Sequence, residues 1–177
     1  PSIRYGELYT TYDTVTSEVY SRTSKETARH CKHIQYGDLL FTLSGETAED
    51  IGKNVAYIGS ADVVVGGDLA VLTGHGQNPI YLSYMLNSAS ARKQKELAST
   101  GSSIVHINAT KLGAIIIPLP DIKRQNEVAD ILTAADDRLT AERRRLAKLE
   151  NIKRGLMDDL LNNMISTDIL EGGREYA

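Results

Sequence analysis

The residues whose types could do chemistry sit in short polar stretches. "SGETAEDIGK" (44–53) sets Ser44, Glu46, Thr47 and Lys53 in a Gly-containing loop between two apolar runs. These are hydrogen-bonding groups and one cation. A glutamate can accept from cytosine N4, and Ser or Thr can bond several base edges. "STGSSIVH" (99–106) gathers Ser99, Thr100, Gly101, Ser102 and Ser103, whose hydroxyl and backbone donors suit phosphates or bases. "ARKQKE" (91–96) puts Arg92, Lys93 and Lys95 in one helix, adequate for salt-sensitive phosphate contacts. "IRYGELYTTYD" (3–13) adds Arg4, Thr11 and Tyr12, beside Tyr5, Tyr9 and Thr10. Each stretch also has a plainer reading. The first is a solvated hairpin loop, the second a helix C-cap at Gly101, the third a solvated helix face. In the fourth, Ile3, Tyr5 and Leu8 alternate as core positions do.

None of these groups forms a reactive constellation. The 44–53 loop is no P-loop, since Gly45 and Gly52 are seven apart and Asn54 follows Lys53. "NPIY" (78–81) lacks the second proline of the Asn-Pro-Pro-Tyr sequence used by adenine methyltransferases, and a helix start explains it better. "PDIK" (120–123) has the wrong carboxylate spacing for a metal-dependent nuclease. His30, Cys31 and His33 lack a second pair of ligands. His106 reads as structural. No Ser-His-Asp or Cys-His arrangement is defensible. We therefore expect no catalytic residue, no metal and no cofactor.

The totals agree with a globular protein of one domain plus an appendage. The chain has 177 residues, 41% hydrophobic and 24% charged. A net charge of -3 offers no bulk attraction to nucleic acid, so any such site must be local. No run reaches the ~20 apolar residues of a membrane span. A single cysteine, no secretory signal and no span point to the cytoplasm. The first residue is Pro, which reads as a processed or cut start.

Two regions of different period must position the polar stretches. Up to about residue 120 the chain reads as mixed α and β. Strands are expected at 38–44, 55–59 and 62–72, the last with a turn at Gly66-Gly67. Residues 78–99 read as one helix, capped by Asn78 with Pro79 in its first turn, and ended by Gly101. A strand follows at 103–107, then a helical turn after Asn108, then a strand at 114–120 stopped by prolines.

From residue 121 to 162 the period becomes helical. Val128, Leu132, Ala135, Leu139, Leu146, Leu149, Leu156 and Leu160 recur at alternating four- and three-residue steps, interrupted only by Glu142 and Lys153. That is a coiled-coil seam over more than four heptads. Charges, Arg143-Arg144-Arg145 among them, mostly occupy its flanks. Burying each leucine contributes on the order of 1.5–3 kcal/mol, so the seam calls for a partner helix. Nothing else in the chain is long enough to serve. The partner must come from another chain or from a part of the protein outside this sequence. Residues 163–177 read as a polar, fraying tail. The fold class is α+β, a mixed globular domain followed by a long coiled-coil helix.

At this point a family resemblance emerges. "IRYGELYTTYD", "GDLLFTLSGETAEDIGKNVAYIG", "GGDLAVL", "YLSYMLNSASARKQKELASTGSSIVHI", "LGAIIIPLP" and the helix "IKRQNEVADILTAADDRLTAERRRLAKLENIKRGLMDDLL" follow one another in order. Together they resemble a target recognition domain and conserved spacer helix of the specificity subunit of type I restriction–modification enzymes. The likeness runs from about Ile3 to Leu161. It implies a non-catalytic subunit that reads double-stranded DNA. Two recognition domains would be held apart by antiparallel helices acting as a ruler. The subunit would carry methyltransferase subunits, which use S-adenosylmethionine, and motor-nuclease subunits.

By the same resemblance, Ser44, Glu46 and Thr47 lie near base edges or phosphates, Lys53 near a phosphate, and 99–106 is a recognition loop. The chain departs from the full pattern in having one such domain and one helix. A strand-rich segment usual before "IRYGELY" is also missing. It is therefore either a half-subunit that dimerises or a fragment of a longer chain. The competing reading is a coiled-coil scaffold whose globular head binds protein.

Overall fold

The computed structural model describes residues 1–162, and the tail expected over 163–177 lies outside them. Residues 1–129 form one compact unit, and the described residues from 130 onward belong to a second. The strands are short: β1 (Ser2–Ile3), β2 (Val15–Thr16), β3 (Lys32–Ile34), β4 (Leu39–Thr42), β5 (Ser44–Gly45), β6 (Asn54–Tyr57), β7 (Val63–Val65), β8 (Leu69–Leu72) and β9 (Val105–His106). The helices are α1 (Glu7–Thr10), α2 (Lys25–Ala28), α3 (Pro79–Leu86), α4 (Ala89–Ala98), α5 (Ala109–Gly113) and α6 (Ile122–Leu161). The α+β class expected from the two periods is what the chain adopts.

The central sheet runs β2-β6-β4-β8, and β4 and β6 are buried along their whole length. Alternation of side chains across a strand, with both faces covered, explains why each is mostly apolar, its buried polar residue (Thr42 or Asn54) standing at one end. Leu40, Val55 and Tyr57 face one core with Ile3, Leu8, Val63 and Val65. Leu39, Phe41 and Ala56 face a second core against Leu82 and Leu86 of α3. The first core continues into a second sheet, β1-β7-β3, and a two-stranded pair, β5-β9, completes the unit. A third small core of Ile51, Val105 and Ile107 lies under β9.

Three expectations are corrected. The stretch 62–72 is no hairpin, because β7 pairs with β1 and β3 while β8 pairs with β4 in the other sheet. The chain crosses between sheets at Gly67-Asp68, where Asp68 takes φ +60, a conformation Asp tolerates. The helix expected over 78–99 is two helices. Asn87 leaves the first one to bond β6, its Oδ1 accepting from Asn54 N at 3.2 Å and its Nδ2 donating to Asn54 O at 2.8 Å. Ser88 then caps α4 afresh. Third, 114–120 pairs with no strand. The Gln94 side chain takes that place, donating to Ile116 O at 2.8 Å and accepting from Ile116 N at 2.9 Å. The strand expected at 103–107 is real but shrinks to β9.

The caps expected at Asn78 and Asn108 are present, each side chain accepting a backbone N–H three residues on. The start of α6 is tied into the same unit. Asp121 accepts from Arg124 N, and the fully buried Gln125 accepts from Asn78 N while donating to Pro120 O and Gln77 Oε1. The helix then runs 40 residues, about 60 Å, straight through Gly155. Along the seam, Leu139, Leu146, Leu149 and Leu156 are exposed, and Val128, Leu132 and Leu160 are half-buried. No helix among the described residues is long and apolar enough to cross a membrane.

Candidate nucleic-acid interface

The fold brings together stretches that are far apart in the chain. β5 (Ser44-Gly45) pairs antiparallel with β9, Ser44 opposite His106 and Gly45 opposite Val105. The two polar loops, 44–53 and 99–106, therefore start from one shared ladder. The N-terminal segment joins them through α1. Tyr5 lies in the turn that leads into α1 and Tyr9 lies within it. Their rings meet edge to face at 5.6 Å. Both hydroxyls reach the Ser44 carbonyl, at 2.6 Å from Tyr5 and 2.8 Å from Tyr9. Tyr9 also lies 2.7 Å from Thr42 Oγ1. Burial raises the Tyr9 hydroxyl from its usual 10.0 to about 12, against a lowering by the Thr42 hydrogen bond. It stays protonated, and thus a donor, at any physiological pH.

The 44–53 loop is shaped from within. The Thr47 hydroxyl donates to Asp50 Oδ2 at 3.1 Å and accepts from Asp50 N at 3.3 Å, which staples the turn. Ile51 anchors it in the small core. Gly52 takes φ +67, and a Cβ there would stand 2.9 Å from Lys95 Cδ. Lys95 is 1% exposed and donates to the Gly52 carbonyl at 2.7 Å. Burial, with Arg92 nearby, lowers its pKa to about 8.

The other loop closes on itself. Thr100 and His106 exchange both backbone hydrogen bonds, at 2.9 and 2.7 Å. Between them Gly101 takes φ +117, and a Cβ would stand 2.1 Å from the Ile104 carbonyl. Only glycine fits there. Ser102, Ser103 and Ile104 are left exposed at the tip.

A cleft of about 500 Å³ opens between the N-terminal segment, the 44–53 loop and α4, lined by Tyr5, Tyr9, Thr10, Glu46, Thr47, Asp50, Lys53 and Arg92. Of the residues singled out in the sequence, Glu46, Thr47, Lys53 and Arg92 meet here. Ser44 lies just beneath, with its carbonyl committed to the tyrosines. Arg4 and Thr11 are exposed on the same N-terminal segment. Lys93 is exposed but pairs with Glu96 at 3.1 Å. Ser99 caps α4, its hydroxyl donating to Glu96 O at 2.7 Å.

Some residues turn out to serve the scaffold instead. Tyr12 is 4% exposed and belongs to the first core, its ring stacked on Tyr20. Lys95 points inward. Lys53 is half-buried and donates to the Tyr12 carbonyl at 2.9 Å, and desolvation lowers its pKa. Tyr9 and Asp50, not singled out as contacts, are central to the cleft. The signal for Tyr9 was its four-residue spacing from Tyr5. Asp50 carried no sequence signal beyond its place in a polar loop. Among the described residues, no group of three or more His, Cys, Asp or Glu is arranged to hold a metal ion.

The groups on this surface suit hydrogen-bonded recognition. They are tyrosine and threonine hydroxyls, two carboxylates that can accept from base amines, and the exposed guanidinium of Arg92. Comparisons with known proteins point the same way. The profile of the type I restriction modification DNA specificity domain matches residues 7–151. A Methanocaldococcus jannaschii protein described as the type I restriction enzyme MjaX specificity subunit is 30% identical over 129 residues. That match covers 70% of this chain and 30% of that relative, so the chain spans less than a third of the relative's length. With its profile matched over most of its length, this chain belongs to the family of type I restriction–modification DNA specificity domains.

Proposed function

We propose that this chain is a non-catalytic, sequence-specific DNA recognition module of a type I restriction–modification enzyme. Residues 1–120 would be the target recognition domain and 121–162 the spacer helix. The observation that carries the reading is the convergence of the 44–53 loop, the N-terminal segment and Arg92 of α4 on one cleft, mostly within the family-matched residues 7–151, with the 99–106 loop joined to the 44–53 loop through the β5–β9 ladder. Glu46, Thr47, Ser102 and Ser103 would address base edges. Arg4, Thr11 and Arg92 would contact phosphates. DNA is then held by a local patch, as a chain of net charge -3 requires.

The exposed seam of α6 would pack on a partner helix, from another copy or from a missing half of the protein. The assembly would carry methyltransferase and motor-nuclease subunits, which perform the chemistry in the cytoplasm. The family match favours this over a scaffold whose head binds protein.

The test is to express the chain with its cognate methyltransferase subunit and map modified adenines across the genome. A split motif that vanishes when residues 38–106 are deleted supports the module. Unchanged sequence-specific methylation after that deletion would sink it. So would an absence of salt-sensitive, sequence-dependent DNA binding by the assembled complex.

A further inference from the structure

Lys95 is a charged side chain where packing alone asks for an apolar one. It is buried, and its ammonium donates to the Gly52 carbonyl at 2.7 Å. A buried ammonium gives up its hydration, which an apolar side chain of equal length would not have to do. What the apolar side chain cannot do is bond Gly52. We infer that Lys95 is a positioning residue for sequence readout, fixing where Glu46 and Thr47 of the 44–53 loop stand relative to Arg92 of α4. This rests on reading the cleft as the DNA interface.

The contact is built on both sides. Gly52 takes φ +67, and a Cβ there would stand 2.9 Å from Lys95 Cδ and 3.1 Å from Leu112 Cδ2. The loop backbone therefore lies directly on the lysine stem. The adjacent Ile51 is buried in the small core with Val105 and Ile107. A carbonyl in such surroundings needs a partner, because an unpaired one costs as much as a lost hydrogen bond. Without the ammonium it must turn to water, and the loop has to lift from α4 to admit it.

The other anchors of the loop lead elsewhere. Its start is held by the two tyrosine hydroxyls on the Ser44 carbonyl and by the β5–β9 ladder. At its end, Lys53 donates to the Tyr12 carbonyl at 2.9 Å, and Thr42 N donates to the Lys53 carbonyl at 3.0 Å. Lys95 ties the loop to α4. Arg92 stands one turn earlier on that helix and lines the cleft with Glu46 and Thr47. Glu49 of the loop shares a second hollow with Arg92, Lys93 and Glu96. One helix thus carries both the cation proposed to meet phosphate and the anchor of the loop proposed to read bases. Phosphate contacts set the register on the duplex, and base contacts specify sequence. A loop that shifts against Arg92 keeps the first and loses the second.

The test uses the full chain assembled with its cognate methyltransferase subunit, at pH 7. The probes are duplexes carrying the motif mapped from modified adenines, and scrambled duplexes. Lys95→Met keeps the stem and removes the donor. Its affinity for the motif should fall by about tenfold or more, while affinity for scrambled DNA and the salt slope stay at wild-type values. Arg92→Ala is the contrast, lowering both affinities together and reducing the slope. Urea unfolding of Lys95→Met at pH 7 should match wild type. Hydrogen exchange of the chain without DNA gives an independent reading: peptides covering 44–53 should exchange about tenfold faster in Lys95→Met, with β4 and β6 unchanged. A wild-type ratio of motif to scrambled affinity, an equal loss on both probes, loss of the fold at pH 7, or unchanged exchange over 44–53 would each overturn the inference and leave the DNA reading intact. A wild-type assembly that binds motif and scrambled DNA alike removes the DNA reading, and the positioning role with it.

Discussion

Lys95→Met should leave stability nearly unchanged at neutral pH and lower it at alkaline pH. Lys95 is buried, and its ammonium has the Gly52 carbonyl as its hydrogen-bond acceptor. Burial brings its pKa from the ordinary 10.5 down to about 8. The folded state therefore binds fewer protons than the unfolded state between those values, so stability rises with pH across that window and is lowest below it. At about 1.36 kcal/mol per pH unit, the full gap amounts to roughly 3 kcal/mol. Met keeps the length and apolar stem, removes the charge, and leaves the Gly52 carbonyl unpaired at about 1–3 kcal/mol. Below pH 8 these terms nearly cancel, and the variant should be close to wild type.

By pH 9.5 the wild type should have gained about 2 kcal/mol on the variant. Tyr9 acts oppositely: its hydroxyl is raised to about 12, so stability is lost as pH climbs from 10 through 12. Measurement is best kept below pH 10. Urea unfolding followed by tyrosine near-UV circular dichroism suits the question, since eight of the nine tyrosines lie in residues 1–129 and the chain has no tryptophan. A wild-type-minus-variant difference that stays constant from pH 7.5 to 9.5 would refute the argument.

Other perturbations probe the interface and the helix. Tyr9→Phe should cost about 1–2 kcal/mol in urea unfolding by removing the hydroxyl that joins α1 to Thr42 and Ser44. Gly101→Ala should destabilise by about 1–3 kcal/mol, since its φ of +117 and the Ile104 carbonyl leave no room for a Cβ. Arg92→Ala should weaken DNA binding about equally for all sequences and reduce the salt slope by about one, whereas Glu46→Gln should change base preference; titrations at several salt concentrations separate the two. Inserting one heptad after Leu149 should lengthen the spacer by about 10 Å, on the order of three base-pair steps, read as a longer gap between methylated half-sites.

The parts legible in the sequence were those set by local chemistry. The seam, the Asn78 and Asn108 caps, and the apolar strands β4 and β6 follow from period and turn residues that need no tertiary information. Two of the failures share another cause: a side chain replaced a backbone partner. Gln94 bonds Ile116 as a strand would, so "AIIIPLP" shows strand composition without a strand. Asn87 bonds β6 and breaks a helix that its apolar spacing had joined. Lys95 and Tyr12 looked like surface residues by type. Their burial depends on Gly52 and on the first core, both contributed by distant segments.

That pattern bears on how such a module could change its target. Every backbone anchor of the interface is buried or half-buried: the Ser44 carbonyl under two tyrosines, the Gly52 carbonyl on Lys95, the β5–β9 ladder over Ile51, Val105 and Ile107. The side chains proposed to read bases, Glu46, Thr47, Ser102 and Ser103, are exposed. Of these, only Thr47 has a hydrogen bond that shapes the loop. Exposed residues away from such features change stability by about half a kcal/mol or less when substituted. Glu46, Ser102 and Ser103 can therefore vary with little cost to the fold, while Tyr9, Gly52 and Gly101 cannot. Specificity would drift through the first set on a loop framework held by the second, and the seam of α6, remote in sequence from both, would keep the half-site spacing while the bases read change.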